Sequence, residues 1–248
     1  MNWRNPLLSH YPEPRSLICS DTLHVLYLGP VKHMVAWIIW RTLLANPWGI
    51  VGDQSVKNEL GLRYIYQDLR RWYEENKVPW SLRLGDLSLS MIGSASSPDF
   101  TGKAAESGVT LQWATQYATR WSHHLREGPA LVEASQALEE YLQLLRDTPQ
   151  TVDDPTFERF FKLFLRHVHA LEDARVPFLP KHHMLAHLTI QMREKGNPRF
   201  YSTFLDETLN SIIAAAAARA HPSRWEHHIH KRLSLQATLQ ITSHFAVL

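Results

Sequence analysis

The sequence has little cysteine, little net charge and no long apolar run. It contains one cysteine, Cys19, so no disulfide can form within the chain, and this favours a reducing compartment such as the nucleus or cytosol over secretion. The formal net charge is only +2, so bulk charge does not indicate a nucleic-acid-binding protein. Any contact with DNA must come from a local basic patch.

Neither an export signal nor a membrane span is apparent in the sequence. Residues 1–14 carry prolines and charges where a signal peptide needs an unbroken apolar stretch. The most apolar run, Met34–Trp40, is too short to cross a bilayer. It predicts a buried helix face, and we expect an intracellular protein without a membrane partner.

What the sequence does contain is helical periodicity. Apolar residues recur at three- and four-residue intervals over about 22–45, 56–76, 103–125, 129–146, 155–174 and 182–194, and further helices are predicted near 206–220 and 222–238. Gly29-Pro30 is expected to start or kink the first helix. In the second, Leu60, Tyr64, Leu69 and Trp72 are assigned to the inner face. Residues 78–108 are rich in turn formers, and we expect the fewest packed residues there.

Asp21 follows the best strand candidate, Ser16–Cys19, and precedes a helix. A carboxylate at the end of a strand is a suitable ligand for a hard divalent cation. The alternative is that Asp21 caps the following helix by accepting backbone N–H groups, which position alone favours. Cys19 is expected to be buried in the strand.

Four blocks resemble, in chain order, segments of CACTA-type and related eukaryotic DDE transposases. They are Asp21-x-x-His24-x-Leu26-x-Leu28-Gly29-x-x-Lys32-His33, then Lys103-Ala104-Ala105-Glu106, then Pro180-Lys181-His182-His183-Met184-Leu185-Ala186-His187-Leu188, and finally Gly196 through Phe204-Leu205-Asp206-Glu207. In the first block Thr22-Leu23 replaces the family's Pro-Met or Val-Met. Lys103 and Glu106 also have the spacing of a surface ion pair on a helix.

The resemblance implies a mainly α, α-rich α+β fold. A partial RNase H-like core, residues 1–48 and 176–248, would be interrupted by a large helical insertion, residues 49–175. The implied chemistry is DNA cleavage and strand transfer, with Asp21 and Glu207 binding Mg²⁺ or Mn²⁺. The implied partner is transposon-end DNA in the nucleus, bound by a possible homo-oligomer.

The family's chemistry uses three carboxylates, and the first lies upstream of the second. Only Glu13 precedes Asp21, and it lies between two prolines, which are unfavourable in a central strand. We therefore expect the C-terminal portion of a catalytic domain, with an N-terminal region missing and no activity alone, so the enzyme assignment is open. The alternative is a non-catalytic helical protein that binds DNA or protein and comes from a domesticated or decaying transposon.

His183, His187 and Glu207 have a spacing similar to the ligands of zinc peptidases. Met184 stands where the catalytic glutamate of such an enzyme would follow the first histidine. The preferred interpretation is that His183 and His187 pack and hydrogen-bond in the core beside the last carboxylate. His24 is expected to support Asp21 in the same way, without binding the metal.

The C-terminal stretch is locally basic. Arg224, Lys231 and Arg232 could contact phosphates there, and Trp225 could stack on a base or sugar. These four residues are the predicted DNA contacts. The alternative is an ordinary solvated helix face.

Overall fold

A computed structural model describes residues 19–204 of the chain together with residues 210, 213, 214, 218 and 231. The chain divides into two compact units, Met1–Tyr201 and Ser202–Leu248, and the description below concerns the first. Several predictions lie outside the described residues: the helices near 206–220 and 222–238, the strand at residues 16–18, Glu207, and the DNA contacts Arg224, Trp225 and Arg232. Lys231 is described and exposed.

Helices make up most of the described part of the first unit. They are α1 (Leu23–Val31, a π-type segment), α2 (Lys32–Ala45), α3 (Gln54–Glu75), α4 (Ala104–Trp121), α5 (Gly128–Asp147), α6 (Asp154–Asp173) and α7 (Pro180–Lys195). Single 3₁₀ turns occur at Trp80–Leu82, Leu89–Met91 and Pro198–Tyr201. A hairpin pairs β1 (Gly93–Ser94) with β2 (Ser97–Pro98) in antiparallel register. The prediction of an α-rich chain is confirmed.

Local side-chain chemistry sets the helix starts. Asp53 and Asp153 each accept the backbone N–H three residues later, at 2.9 Å, at the starts of α3 and α6. Glu106 accepts the backbone N–H of Lys103 at 2.9 Å at the start of α4, and the predicted ion pair between these side chains is present at 3.7 Å. Prolines occupy the first turns of α5, α6 and α7.

The predicted kink in the first helical stretch is confirmed at Gly29, which has φ −125° and ψ −112°. Pro30 follows it, and α2 continues from Lys32 with its apolar run Met34–Trp40 almost entirely buried, as predicted. None of the described helices is both long enough and apolar enough to cross a membrane.

One hydrophobic core is formed by residues from all seven helices and from the segment between α3 and α4. Ile92 and Phe100 of that segment are fully buried, and the Trp40 indole donates to the Ile92 carbonyl at 2.8 Å. The expectation that this segment has the fewest packed residues is wrong, because its turns direct separate apolar side chains inward, whereas residues 46–60 include no buried residue. Leu69 and Trp72 are buried as predicted. The other two residues assigned to the inner face of α3, Leu60 and Tyr64, are 38% and 50% exposed.

Candidate functional site

The first and third transposase-like blocks lie against each other. Lys181 Nζ donates to the Leu28 carbonyl at 2.6 Å, and just outside the two blocks the Ser20 N–H donates to Gln191 Oε1 at 2.9 Å. A Cβ at Gly29 would lie 2.9 Å from the Lys181 side chain, so glycine permits this close approach. We call these contacts the α1–α7 junction. It joins segments separated by 153 and 171 residues in the sequence.

The second block also leads to α1. It begins α4, and the Tyr27 ring of α1 lies over Gly108 of α4 so closely that a Cβ there would be 2.8 Å from the ring. Burial raises the pKa of Tyr27, although the charges of Arg146 and Arg199 act in the opposite direction. Three of the four blocks, or the helices that they begin, therefore meet on α1. The fourth begins at Gly196, and its Glu207 lies outside the described residues.

Asp21 caps α1. Its Oδ2 accepts the His24 backbone N–H at 2.9 Å and lies 2.6 Å from Nδ1 of the same histidine. The capping role that the sequence position favours is thus present, and His24 contacts the carboxylate as expected. Cys19 is exposed, so the expectation of a buried thiol is wrong. The described residues before Asp21, Cys19 and Ser20, form no strand that would carry the thiol into the core.

His183 and His187 are exposed on α7, with their Nε2 atoms 2.9 Å apart, so one ring donates to the other. The expectation that they pack in the core is wrong. Pro180 begins the helix in a register that directs His182 inward and leaves its neighbour His183 at the surface.

Three histidines that the sequence analysis did not connect form a buried cluster at the junction. His33 of α2, His167 of α6 and His182 of α7 are all buried. The ring centroids are 5.3 Å apart for His33–His182 and 5.6 Å apart for His167–His182. Burial lowers the pKa of His33 and His167 to about 3 and that of His182 to about 4. The three rings, called the histidine trio below, are therefore neutral at neutral pH.

Hydrogen bonds determine which nitrogen of each ring in the trio carries the proton. The Trp37 indole donates to His33 Nε2 at 2.8 Å, so the other nitrogen of that neutral ring is an N–H. The Leu179 backbone N–H donates to His182 Nδ1 at 2.8 Å, and the Leu179 carbonyl lies farther from the same nitrogen, at 3.3 Å. The shorter contact assigns His182 Nδ1 as the acceptor and Nε2 as the N–H. His167 Nδ1 donates to a backbone carbonyl at 2.8 Å, which leaves a lone pair on Nε2. These remaining nitrogens have no hydrogen-bond partner among the described residues.

A metal ion needs an unprotonated nitrogen from each histidine. The trio offers one lone pair, on His167, and two N–H groups, so its donor set does not suit zinc. Of the predicted Mg²⁺ ligands, the described residues include only Asp21, whose Oδ2 already contacts His24. No group of three or more His, Cys, Asp or Glu within the described part of the chain could hold a metal ion.

No family model, curated protein or solved structure matches this chain. The transposase resemblance thus rests on the four sequence blocks. The structure adds the way in which their described parts pack together.

Proposed function

We propose that the protein derives from a DNA transposase and binds DNA, but does not cut DNA on its own. The observation that carries the proposal is the convergence of the blocks on α1. Lys181 of the third block packs on Gly29 of the first, and the helix begun by the second packs on Tyr27. Segments that build one active site in a family must lie close together in the fold, and the described parts of these blocks do. Their convergence supports a common origin.

The proposed architecture follows the resemblance. Residues 1–48 and 176–248 belong to a partial RNase H-like core, and residues 49–175 form the helical insertion. The described apolar residues of both parts share one hydrophobic core, so the proposed insertion packs directly on the described residues of the proposed partial core. The nucleus is the compartment in which such a protein would meet DNA.

In this proposal Asp21 and Glu207 are the residues that would hold Mg²⁺ or Mn²⁺. The metal, when bound, supplies Lewis-acid activation for attack on a phosphodiester. In this chain the Asp21 carboxylate caps α1 and receives the His24 ring. These contacts support a structural role for Asp21 that persists without catalysis.

The test compares wild type with Asp21→Asn, because asparagine keeps a capping oxygen and removes the charge. Fluorescence anisotropy with a labelled duplex measures binding, and gel analysis in Mg²⁺ measures cleavage. We expect both proteins to bind the duplex equally and neither to cleave it. Mg²⁺-dependent cleavage that Asp21→Asn abolishes would show an active enzyme. Absence of duplex binding by wild type would refute the DNA-binding function.

The duplex contacts in this proposal are Arg224, Trp225, Lys231 and Arg232, of which the exposed Lys231 is described. Changing the three basic residues to alanine should weaken duplex binding for all sequences. The slope of log affinity against log salt should fall by about 2.7, because each phosphate contact contributes about 0.9. Unchanged duplex binding by the triple alanine variant would refute the proposal that these basic residues contact the duplex.

A further inference from the structure

Two neighbouring depressions lie beside the C-terminal end of α4, outside all four transposase-like blocks. The first, the aromatic cleft, has a volume of about 270 Å³, and its lining includes Trp48, Tyr64, Asp68, Arg71, Tyr117, Arg120 and Trp121. The second, the arginine cavity, has a volume of about 520 Å³, and its lining includes Trp37, Arg41, Leu44, His124, Arg126 and Arg175. The ring of Trp121 in the cleft lies 5.5 Å from the ring of His124 in the cavity, so the two are adjacent.

The aromatic cleft has a fixed inner wall and an open outer side. Trp48 packs so closely on Gly61 of α3 that a Cβ there would be 2.9 Å from the indole. Tyr64 stacks on Trp48 with ring centroids 5.5 Å apart and an interplanar angle of 25°, yet remains half exposed. Preformed aromatic surfaces of this kind stack on unpaired nucleobases of any sequence.

The cleft also carries unneutralised positive charge. Arg120 pairs with Asp68 at 2.6 Å, and its guanidinium lies over the Tyr117 ring at 5.3 Å. Arg71 is exposed and forms no ion pair or hydrogen bond within the described part of the chain. It is therefore available to an anion bound beside the aromatic wall.

In the arginine cavity three guanidinium groups share one carboxylate. Glu127 lies 3.0 Å from Arg41, 3.1 Å from Arg126 and 3.5 Å from Arg175, and no other described carboxylate pairs with these arginines. Desolvation acts to raise the pKa of Glu127, but the hydrogen bond from Arg126 and the charges of all three arginines lower it overall. With Glu127 ionised, two positive charges in the cluster remain uncompensated.

Part of the arginine cluster is fixed and part can rearrange. Arg41 is buried, and its Nη2 donates to the Ala174 carbonyl at 3.0 Å. The side chains of Arg126 and Arg175 are 67% and 71% exposed. Glu127 and Arg175 have left-handed backbones, with φ 46° and 52°, an uncommon conformation for residues other than glycine. The cavity thus presents two movable cations on a defined scaffold.

We propose that these depressions together bind single-stranded DNA. Unpaired bases stack in the aromatic cleft, and backbone phosphates pair with Arg126 and Arg175. A single strand alternates bases and phosphates along its length, which matches an aromatic surface beside a cationic one. A duplex keeps its bases stacked inside and cannot use the cleft. This inference rests on the proposed DNA binding and names the form of DNA that this surface takes.

The experiment measures binding of the full chain to a fluorescein-labelled oligothymidylate and to a duplex of equal length, over a series of salt concentrations. Arg126→Gln/Arg175→Gln should weaken single-strand binding about tenfold and lower the salt slope by about 1.4, because each phosphate contact contributes about 0.7. Tyr64→Ala should weaken it at least about fivefold through lost stacking.

Matched variants separate binding from folding. Tyr64→Phe keeps the ring and should bind like wild type, and Glu127→Gln should bind several-fold more tightly because the competing carboxylate is removed. Arg159→Gln/Lys162→Gln removes the same charge from exposed positions of α6 and should have little effect. Circular dichroism confirms that each variant is folded.

The outcomes distinguish this inference from the proposed function. Single-strand binding that is unchanged in both Tyr64→Ala and the arginine double variant overturns the inference, while duplex binding by wild type still supports the function. A wild-type protein that binds neither form overturns both. If only inorganic pyrophosphate binds, and the arginine double variant abolishes that binding, the cavity takes a small phosphate ligand and the single-strand inference is wrong.

Discussion

The α1–α7 junction and the surface beside the end of α4 use polar residues in opposite ways. At the junction, residues of the transposase-like blocks are buried and neutral or are engaged with backbone: Gly29 admits Lys181, and His33 and His182 join the trio. At the α4 surface, arginines and aromatic rings outside the blocks are exposed and share too few carboxylates. These block residues at the junction thus mainly hold the fold together. The surface proposed to bind single-stranded DNA lies outside the blocks.

The largest expected effect is a loss of stability in acid, which should arise at the junction with its histidine trio and not at the α4 surface. The folded pKa values of the trio lie below the ordinary value of 6.5, so the unfolded chain binds more protons once the pH falls below about 6.5. Stability from the neutral rings is complete above that pH and is lost below it, by about 1.4 kcal/mol per histidine for each pH unit. Urea unfolding between neutral pH and about pH 4.5 measures this decline.

Removing one ring of the trio tests its share of the acid effect. His167→Gln should reduce the slope of the decline by about one third, because two of the three buried rings remain. His169→Gln, a change at an exposed position of the same helix, is the matched control. A free energy of unfolding that stays constant down to about pH 5 would contradict the assignment of neutral buried rings.

Gly29→Ala tests the close approach at the junction. The added methyl group would meet the Lys181 Cβ, which cannot rotate away, so we expect a loss of about 2 kcal/mol in the free energy of unfolding. Gly85→Ala is the matched control, because a Cβ there meets nothing within 4 Å. Equal stability of the two variants would show that α7 shifts freely relative to α1.

Arg41→Met tests whether the fixed arginine of the cavity is structural. It leaves the buried Ala174 carbonyl without its donor and removes one of the three arginines that pair with Glu127, so we expect a loss of about 2 kcal/mol in the free energy of unfolding. Arg126→Met removes an exposed side chain and should change the free energy of unfolding by less than about 0.5 kcal/mol. Thermal unfolding of both variants provides the comparison, and equal losses would contradict the division into fixed and movable cations.

The smallest effect is expected at Asp21. Asp21→Ala removes the acceptor of the His24 N–H and should reduce the free energy of unfolding by about 1 kcal/mol. Asp21→Ser keeps a capping oxygen and should lose less than half of that amount. Denaturant titration measures both, and a stability gain in Asp21→Ala would indicate a carboxylate held at an energetic cost for another purpose.

The sequence predicted where helices lie better than it predicted which side of each helix is buried. The starts of helices could be predicted because prolines, Asp53 and Asp153 act locally on the first turn of each helix. Tyr64 has the spacing of an inner residue, but stacking on Trp48 holds it at the surface, and that contact crosses a turn with no periodic signal. Ile92 and Phe100 are core residues within irregular backbone, where periodicity cannot identify them.

The candidate site shows the same division. The capping geometry of Asp21 depends on residues within three positions and followed from the sequence. The histidine trio combines residues of α2, α6 and α7, so only tertiary packing brings it together. Only part of the trio is indicated by the sequence: His33 and His182 belong to the transposase-like blocks, but His167 does not.

The long sequence separation across the α1–α7 junction has a consequence for how the chain folds. Lys181 and Gln191 lie 153 and 171 positions after their partners Leu28 and Ser20, so these contacts form only after most of the described chain has been synthesised. Closing so long a loop costs entropy before any contact compensates for it, so we expect the junction to be a late step in folding. Until α7 has left the ribosome, the face of α1 that packs on α7 is without that partner. We expect chaperones to bind mainly at this face.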